Sequence, residues 1–186
     1  MKKSTWLLCI ALLVTMLQAA CSKQALQATY DKQTTNIEKF LETVISKDTT
    51  ARLTENGGTY RLILHDTLPA GRDSLLDGGS VSLYYACYTL TSSTISAANL
   101  LATNLKELAT SVKWTLTDTT GFKLDTLRLD NSLVEGLRLG LHGVQPGDEG
   151  YILFNGKYGF GDNEYGMIPA KSALVYQIWI ENVFYE

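Results

Sequence analysis

The side chains that most enzymes use for covalent chemistry are few and scattered in this 186-residue chain. His65 and His142 are the two histidines, and neither lies in a zinc-binding motif. Asp162 and Glu164 fall in a glycine-rich loop, but the spacing of an EF-hand calcium loop is missing. The sequence has no Walker loop, no dinucleotide-binding fingerprint and no Gly-x-Ser-x-Gly elbow. We therefore expect neither a metal site nor a bound cofactor.

A different set of residues could form an apolar binding cleft, which acts by shape and burial. Its members are aromatic or aliphatic and lie on several predicted β segments and one short predicted helix: Tyr85, Leu133, Val134, Leu137, Tyr158, Ile168 and Tyr176. By residue type alone they fit the interior of a protein core better than a cleft. The family resemblance described below favours the cleft.

The elements that must position this set are mostly short strands. Runs of β-branched and aromatic residues between glycine-containing turns predict strands at 59–65, 80–90, 121–129, 150–154 and 173–183. In the last strand Leu174, Tyr176, Ile178 and Ile180 share one face, while Val175 and Trp179 lie on the other. Asn56-Gly57-Gly58, Leu68–Gly71 and Asp77–Gly79 are predicted as breaks between elements, the first of them within a loop.

Helices are predicted in three places. Ser22–Lys47 has helical spacing after a short tether, and Ala97–Val112 repeats leucine at the same spacing. Ser132 and Glu135 fit a capping box at the start of a short helix that ends before Gly143. The pattern predicts an α+β fold: a twisted antiparallel sheet wrapped around the short helix, with an N-terminal helical extension.

The first twenty residues indicate export. Lys2 and Lys3 precede the apolar run Trp6–Met16, and small residues stand before Cys21. This ending resembles a bacterial lipobox, which predicts a signal peptide over residues 1–20 and lipidation of Cys21; an ordinary secretory peptide is the alternative. The domain plan is then a signal peptide (1–20), a lipidated tether with a helix (21–57) and a main domain (58–186).

The charge of the chain bears on its partners, and its cysteine content bears on disulfides. The whole chain has a formal net charge of -3, and removal of residues 1–20 leaves 14 basic and 19 acidic residues. An acidic chain without clustered Lys and Arg argues against nucleic acid as a partner. Cys9 leaves with the signal peptide and Cys21 is the lipidation site, so Cys87 stands alone and no internal disulfide is expected.

Three motifs in register resemble the FKBP-type peptidyl-prolyl isomerases. They are Gly78–Tyr85, then Leu133-Val134-Glu-Gly136-Leu137 with Gly140, and finally Tyr158-Gly159, Ile168-Pro169 and Leu174-Val175-Tyr176. The resemblance covers residues 78–183 and implies an FKBP-like fold that binds proline-containing polypeptides and isomerises their X-Pro bonds. With the lipobox, it places the protein in the bacterial cell envelope, on the outer membrane. Dimerisation through the N-terminal helix is a further expectation.

The resemblance also implies roles for single residues. The Val134 N–H and the Tyr158 hydroxyl would donate hydrogen bonds to substrate carbonyl groups, and Leu137 would form the floor beneath the proline ring. Tyr85, Ile168 and Tyr176 would wall the cleft, with Leu101 and Leu133 as further substrate contacts.

Two departures support an alternative function. Leu137 stands where the family usually has Trp, and Leu101-Ala102 stands where it has Phe-Asp. The alternative is a peptide-binding or chaperone module on the same fold, without catalysis.

Overall fold

The computed structural model of the chain describes residues 2–66, 71–114 and 120–185, with side chains from residue 23 onward. The residue-level features of the predicted signal peptide and the side chain of Cys21 lie outside that description, as does most of the turn predicted at Leu68–Gly71.

Helix α1 runs over Lys2–Ile45, and the chain divides within it into two compact units, residues 1–32 and 33–186. The described part of the first unit, residues 2–32, is helical. The tether predicted after Cys21 is therefore helical instead, because Ser22–Leu26 contains good helix formers and no glycine or proline. No helix in the described part of the chain combines the length and the apolar character needed to cross a bilayer.

The second unit is built on one seven-stranded sheet in which every pairing is antiparallel. The strand order is β1-β2-β6-β7-β3-β4, and β5 pairs with the other half of the same edge of β3. The strands are β1 (Arg52–Asn56), β2 (Thr59–Ile63), β3 (Ser80–Thr89), β4 (Leu100–Thr103), β5 (Asp125–Arg128), β6 (Glu149–Phe154) and β7 (Leu174–Phe184). The predicted α+β architecture is confirmed.

Each face of the sheet packs against a helix. On the front face, helix α3 (Glu135–Leu141) places Leu137 and Leu141 in one buried cluster with Ile152, Phe154 and Leu174. On the back face, the last turns of α1 bury Ile37, Phe40 and Leu41 against residues such as Leu153 and Val175. Helix α2 (Lys106–Ser111) follows β4.

Strand β7 shows the predicted alternation, with one interruption. Leu174, Ile178 and Ile180 belong to the front cluster, whereas Val175 and Trp179 belong to the back cluster. A β-bulge follows, because Leu83 pairs with Ile180 and the adjacent Ser82 pairs with Asn182. The one extra residue shifts the alternation by one position, so the odd-numbered Val183 joins the front cluster.

The predicted loop before Gly57 is wrong, and the predicted domain boundary moves with it. Residues 52–56 form β1, which is joined to β2 by the two-residue turn Gly57-Gly58. Both glycines have positive φ, as a tight hairpin turn requires. A boundary between residues 57 and 58 would divide this hairpin, so the sheet begins at Arg52.

Two helix predictions also need correction. The segment 97–112 is a 3-10 turn, the strand β4 and the short helix α2, because pairing with β3 outweighs the helical spacing of its leucines. Helix α3 begins at Glu135 with Val134 at its N-cap and no side-chain cap. The Ser132 N–H instead donates to Asp130, in a turn that precedes the helix.

Helix α3 lies in close contact with β6 because two glycines face the strand. A Cβ atom on Gly136 would stand 2.3 Å from Cγ of Phe154, and one on Gly140 would stand 2.2 Å from Cγ2 of Ile152. Both partner side chains are fully buried and have no free space to enter. The glycines therefore set the distance between the helix and the sheet.

We expect Gly136→Ala to lower the free energy of unfolding by about 1–3 kcal/mol, the usual cost of overpacking a filled core. Gly121→Ala is the matched control, since a Cβ there meets nothing within 4 Å. Chemical denaturation measures both variants. Equal stability of the two would show that α3 does not depend on this contact.

Candidate functional site

A cavity of about 220 Å³ opens on the front face of the sheet, beside α3. Its floor and walls come from β3, β4, β5, β7, α3 and the segment that precedes it, and the loop between β6 and β7. The lining residues are Leu83, Tyr85, Cys87, Ala102, Asp125, Leu127, Leu133, Leu137, Phe160, Tyr165, Ile168 and Tyr176. All but Asp125 are apolar, aromatic or a thiol.

Five of the eight residues proposed from the sequence line this cavity: Tyr85, Leu133, Leu137, Ile168 and Tyr176. Leu137 is buried on α3 and lines the cavity. Residues as far apart in sequence as Tyr85 and Tyr176 thus line one apolar space. The other three, which are Leu101, Val134 and Tyr158, pack against the front cluster without lining the cavity.

A bulge in β4 explains why Ala102 lines the cavity and Leu101 does not. Cys87 pairs with Ala102, but the next residue, Tyr88, pairs with Leu100, so Leu101 is the extra residue. Bulges re-aim the side chains around them. The small Ala102 side chain consequently leaves room on this wall.

Tyr158 does not line the cavity, where its predicted role would place it. Its ring covers the β1–β2 turn, where a Cβ atom on Gly58 would lie 2.6 Å from the Tyr158 hydroxyl oxygen. Its backbone carbonyl accepts a hydrogen bond from the Gly136 N–H at 2.8 Å. Tyr158 therefore holds the first turn of the helix through its main chain.

The aromatic wall around Tyr176 is neutral. The Tyr176 ring packs against Phe154 with centroids 6.0 Å apart and against Tyr85 at 6.3 Å. Burial raises the pKa of Tyr176, and it raises the pKa of Cys87 to about 12 although the Tyr176 hydroxyl donates a hydrogen bond to that thiol. At neutral pH both groups keep their protons, so neither offers a nucleophile or a base.

Sequence reasoning missed an acid and two aromatic rings. Asp125 lines the cavity from β5, although no acid stands at Ala102. Phe160 and Tyr165 stack face to face with centroids 4.8 Å apart and planes 2° from parallel, and both line the cavity. The glycine-rich loop that carries them predicted a turn, and nothing in its spacing indicated where the rings would point.

Gln33 holds together the two ends of the loop that carries these rings. Its side-chain oxygen accepts the Gly156 N–H at 2.9 Å, and its side-chain nitrogen donates to the Lys171 carbonyl at 2.6 Å. Within the loop the Lys171 N–H donates to the Gly161 carbonyl. A residue on α1 thereby fixes one wall of the cavity from more than 120 positions away.

Asn104 plays the matching part on the other wall. Its buried side chain accepts the Tyr85 N–H at 2.7 Å and donates to the carbonyls of Leu83 and Lys123, each at 3.0 Å. These bonds join β3 to the segment that enters β5, at the point where β4 ends. Asn104 therefore positions both Tyr85 and the strand that carries Asp125.

The arrangement can bind a compact apolar group and surround it with rings. Among the described residues no group of three or more His, Cys, Asp or Glu is placed to hold a metal ion. A catalyst of this kind would act by binding a transition state more tightly than the ground states.

Comparisons with known proteins bear on both fold and site. The family model of the FKBP-type peptidyl-prolyl cis-trans isomerases matches residues 102–181. No curated protein matches the chain in sequence.

Solved structures show the same fold. A peptidyl-prolyl cis-trans isomerase from Pseudomonas syringae pv. tomato is 14% identical with a TM-score of 0.54, over 85% of this chain and 95% of that one. FkpA from Escherichia coli is 16% identical with a TM-score of 0.51, over 94% of this chain and 71% of that one. The structure of the three FKBP domains of wheat FKBP73 is 11% identical with a TM-score of 0.52, over 73% of this chain and 50% of that one. At such identities the likeness shows the FKBP-like fold alone, which confirms the fold predicted from the sequence.

The three hydrogen bonds of Asn104 generate a stability prediction. Replacing it with alanine leaves one N–H and two carbonyl groups of the site without their partner, so we expect Asn104→Ala to lower the free energy of unfolding by about 2–4 kcal/mol. Asn163→Ala, at an exposed position in the Phe160–Tyr165 loop, is the control and should be near neutral. Denaturant titration of both variants checks this. A near-neutral Asn104→Ala would contradict it.

Proposed function

We propose that the cavity binds the proline of a polypeptide and accelerates rotation about the X-Pro bond, because residues 102–181 of this chain match the family model of the FKBP-type peptidyl-prolyl cis-trans isomerases. The observation that carries the proposal is the meeting of Tyr85, Leu137, Ile168 and Tyr176 around one apolar space of about 220 Å³.

The chemistry required is modest in its demands on side chains. Resonance gives the amide bond double-bond character and a rotation barrier of about 18–20 kcal/mol. X-Pro isomers are close in energy but exchange in tens to hundreds of seconds without help. A cleft that excludes water disfavours the charge-separated planar amide relative to the twisted one. Each ~1.4 kcal/mol of such preference is worth about tenfold in rate.

The residues divide this work by position. Leu137 forms the floor against which a proline ring would pack, and the rings of Tyr85 and Tyr176 wall it. The Val134 N–H lies at the N-cap of α3, where helix N–H groups lack intrahelical partners, and it is our candidate donor to a substrate carbonyl. Tyr158, whose hydroxyl lies at Gly58, supports the helix in place of a direct substrate contact.

The activity test uses X-Pro peptides and exchange NMR, which needs no coupled protease. We expect the chain to accelerate exchange, and Leu137→Ala to lower kcat/KM about tenfold or more through lost contact with the ring. Leu139→Ala, on the same helix but outside the cavity, is the matched control. Tyr158→Phe should stay within about twofold of the parent chain, since the Tyr158 hydroxyl lies beside Gly58 and Tyr158 does not line the cavity.

The outcomes separate isomerase from binding module. Exchange no faster than in buffer would overturn the catalytic proposal. Chemical-shift changes confined to the cavity residues, without faster exchange, would favour the alternative of peptide binding or chaperone action. Equal losses in Leu137→Ala and Leu139→Ala would show that helix stability, and not the cavity floor, is being measured.

For localisation we propose attachment to the bacterial cell envelope, at the outer membrane, through a lipid on Cys21, with envelope polypeptides as substrates. The support is the sequence: the basic start, the apolar run and the small residues before Cys21. A homodimer through the N-terminal helix stays a prediction that solution mass measurements at several concentrations would test.

Metabolic labelling with a palmitate analogue tests the lipid anchor. The full chain expressed in bacteria should take up label and partition with membranes, and Cys21→Ser should lose both. Cys9→Ser, which changes a cysteine inside the predicted signal peptide, is the control and should keep the label on the mature chain. Label that persists in Cys21→Ser would contradict the proposal.

A further inference from the structure

The cavity carries its charge at one residue. Among the described residues that line it, Asp125 is the one with an ionisable carboxylate, and no Lys or Arg is present. In β5 the partly buried side chains of Asp125 and Leu127 share one face, while Thr126 and Arg128 are exposed on the other. The alternation of the strand therefore aims Asp125 at the apolar space, opposite Leu83 on β3.

The aromatic rings of the lining favour positive charge, as the Asp125 carboxylate does. Four rings contribute to the cavity, those of Tyr85, Phe160, Tyr165 and Tyr176, and the faces of such rings attract cations. Burial raises the pKa of Tyr85, and the negative charge of Asp125 raises it further. A carboxylate and ring faces in one cleft favour a positive group and disfavour a negative one.

The rim can hold the stem of a long basic side chain. Tyr165 is 65% exposed and Met167, in the same loop, is 62% exposed. Lys and Arg lay their methylene stems along such apolar surface while the charged head reaches an acidic partner or water. The combination of an exposed apolar rim and an acidic wall fits a basic residue better than an acidic or a short polar one.

We infer that Asp125 is a specificity-determining residue, which makes the site favour polypeptides with Lys or Arg beside the proline. The inference rests on the proposed binding of X-Pro segments and adds the charge of the flanking residue. The Asp125 carboxylate also accepts a hydrogen bond from the Thr126 N–H at 2.9 Å, which orients the carboxylate. A partly exposed ion pair of this kind changes kcat/KM by about two- to fivefold.

The test compares peptides that differ only in the residue beside proline, on either side: Lys, Gln or Glu. For the wild-type chain we expect kcat/KM in the order Lys, Gln, Glu, with about two- to fivefold between neighbours. Asp125→Asn should bring the kcat/KM values of the three peptides together. Glu107→Gln, which removes a charge on α2 outside the cavity, should keep the wild-type order.

Failure of this inference is distinct from failure of the proposed function. Catalysis with equal values for Lys and Glu peptides, or an order that persists in Asp125→Asn, overturns the role of Asp125 alone. If no peptide is isomerised, the Kd from NMR titration replaces kcat/KM, and equal affinities for the Lys and Glu peptides overturn the role of Asp125. Absence of binding to every peptide overturns both that role and the proposed function. Should Asp125→Asn not fold, loss of the wild-type Lys preference at high salt supports the ion pair, and a salt-independent preference overturns it.

Discussion

The site depends on how closely helix α3 approaches strand β6. Gly136 lets the helix backbone lie against the ring of Phe154, and that ring packs in turn on Tyr176. Leu137, the next residue on the helix, then meets Tyr176 across the cavity it helps to enclose. A single methyl group at Gly136 would displace Phe154 and, through it, Tyr176, because close-packed interiors transmit displacement instead of absorbing it.

Two polar side chains fix the segments that form the walls of the cavity. Gln33 closes the loop that carries Phe160 and Tyr165, and Asn104 joins β3 to the start of β5. Each makes hydrogen bonds to main-chain groups at which regular pairing stops. Buried or partly buried main-chain groups need such partners. The apolar cavity is thus framed by polar contacts that do not enter it.

What the sequence could predict follows from which residues act locally. The alternation of β7, the strand β3 and the short helix before Gly143 all depend on nearby residues, and the structure has all three. The segment 97–112 is not the single helix that its leucine spacing predicts, because these leucines are divided between β4, which pairs with β3, and a separate short helix. Leu101 lost its expected place for a related reason, since a bulge is a property of two strands together and one sequence segment does not encode it. Gln33 and Asn104 act over long sequence separations on main-chain atoms, which leave no residue-type signal.

The departures from the family pattern change meaning once the cavity is seen in three dimensions. Ala102 lacks a carboxylate and Leu101 lacks a ring, yet a carboxylate comes from β5 and rings come from the β6–β7 loop. Since Tyr176 and Cys87 stay neutral, they would contribute to catalysis on an amide through shape and desolvation. For such contributions, the strand from which each group comes matters less than its position in the cleft. The same reasoning makes Asp125 informative: in a cleft without other ionisable carboxylates or any basic lining residue among those described, one charge sets the sign of the field that a substrate meets.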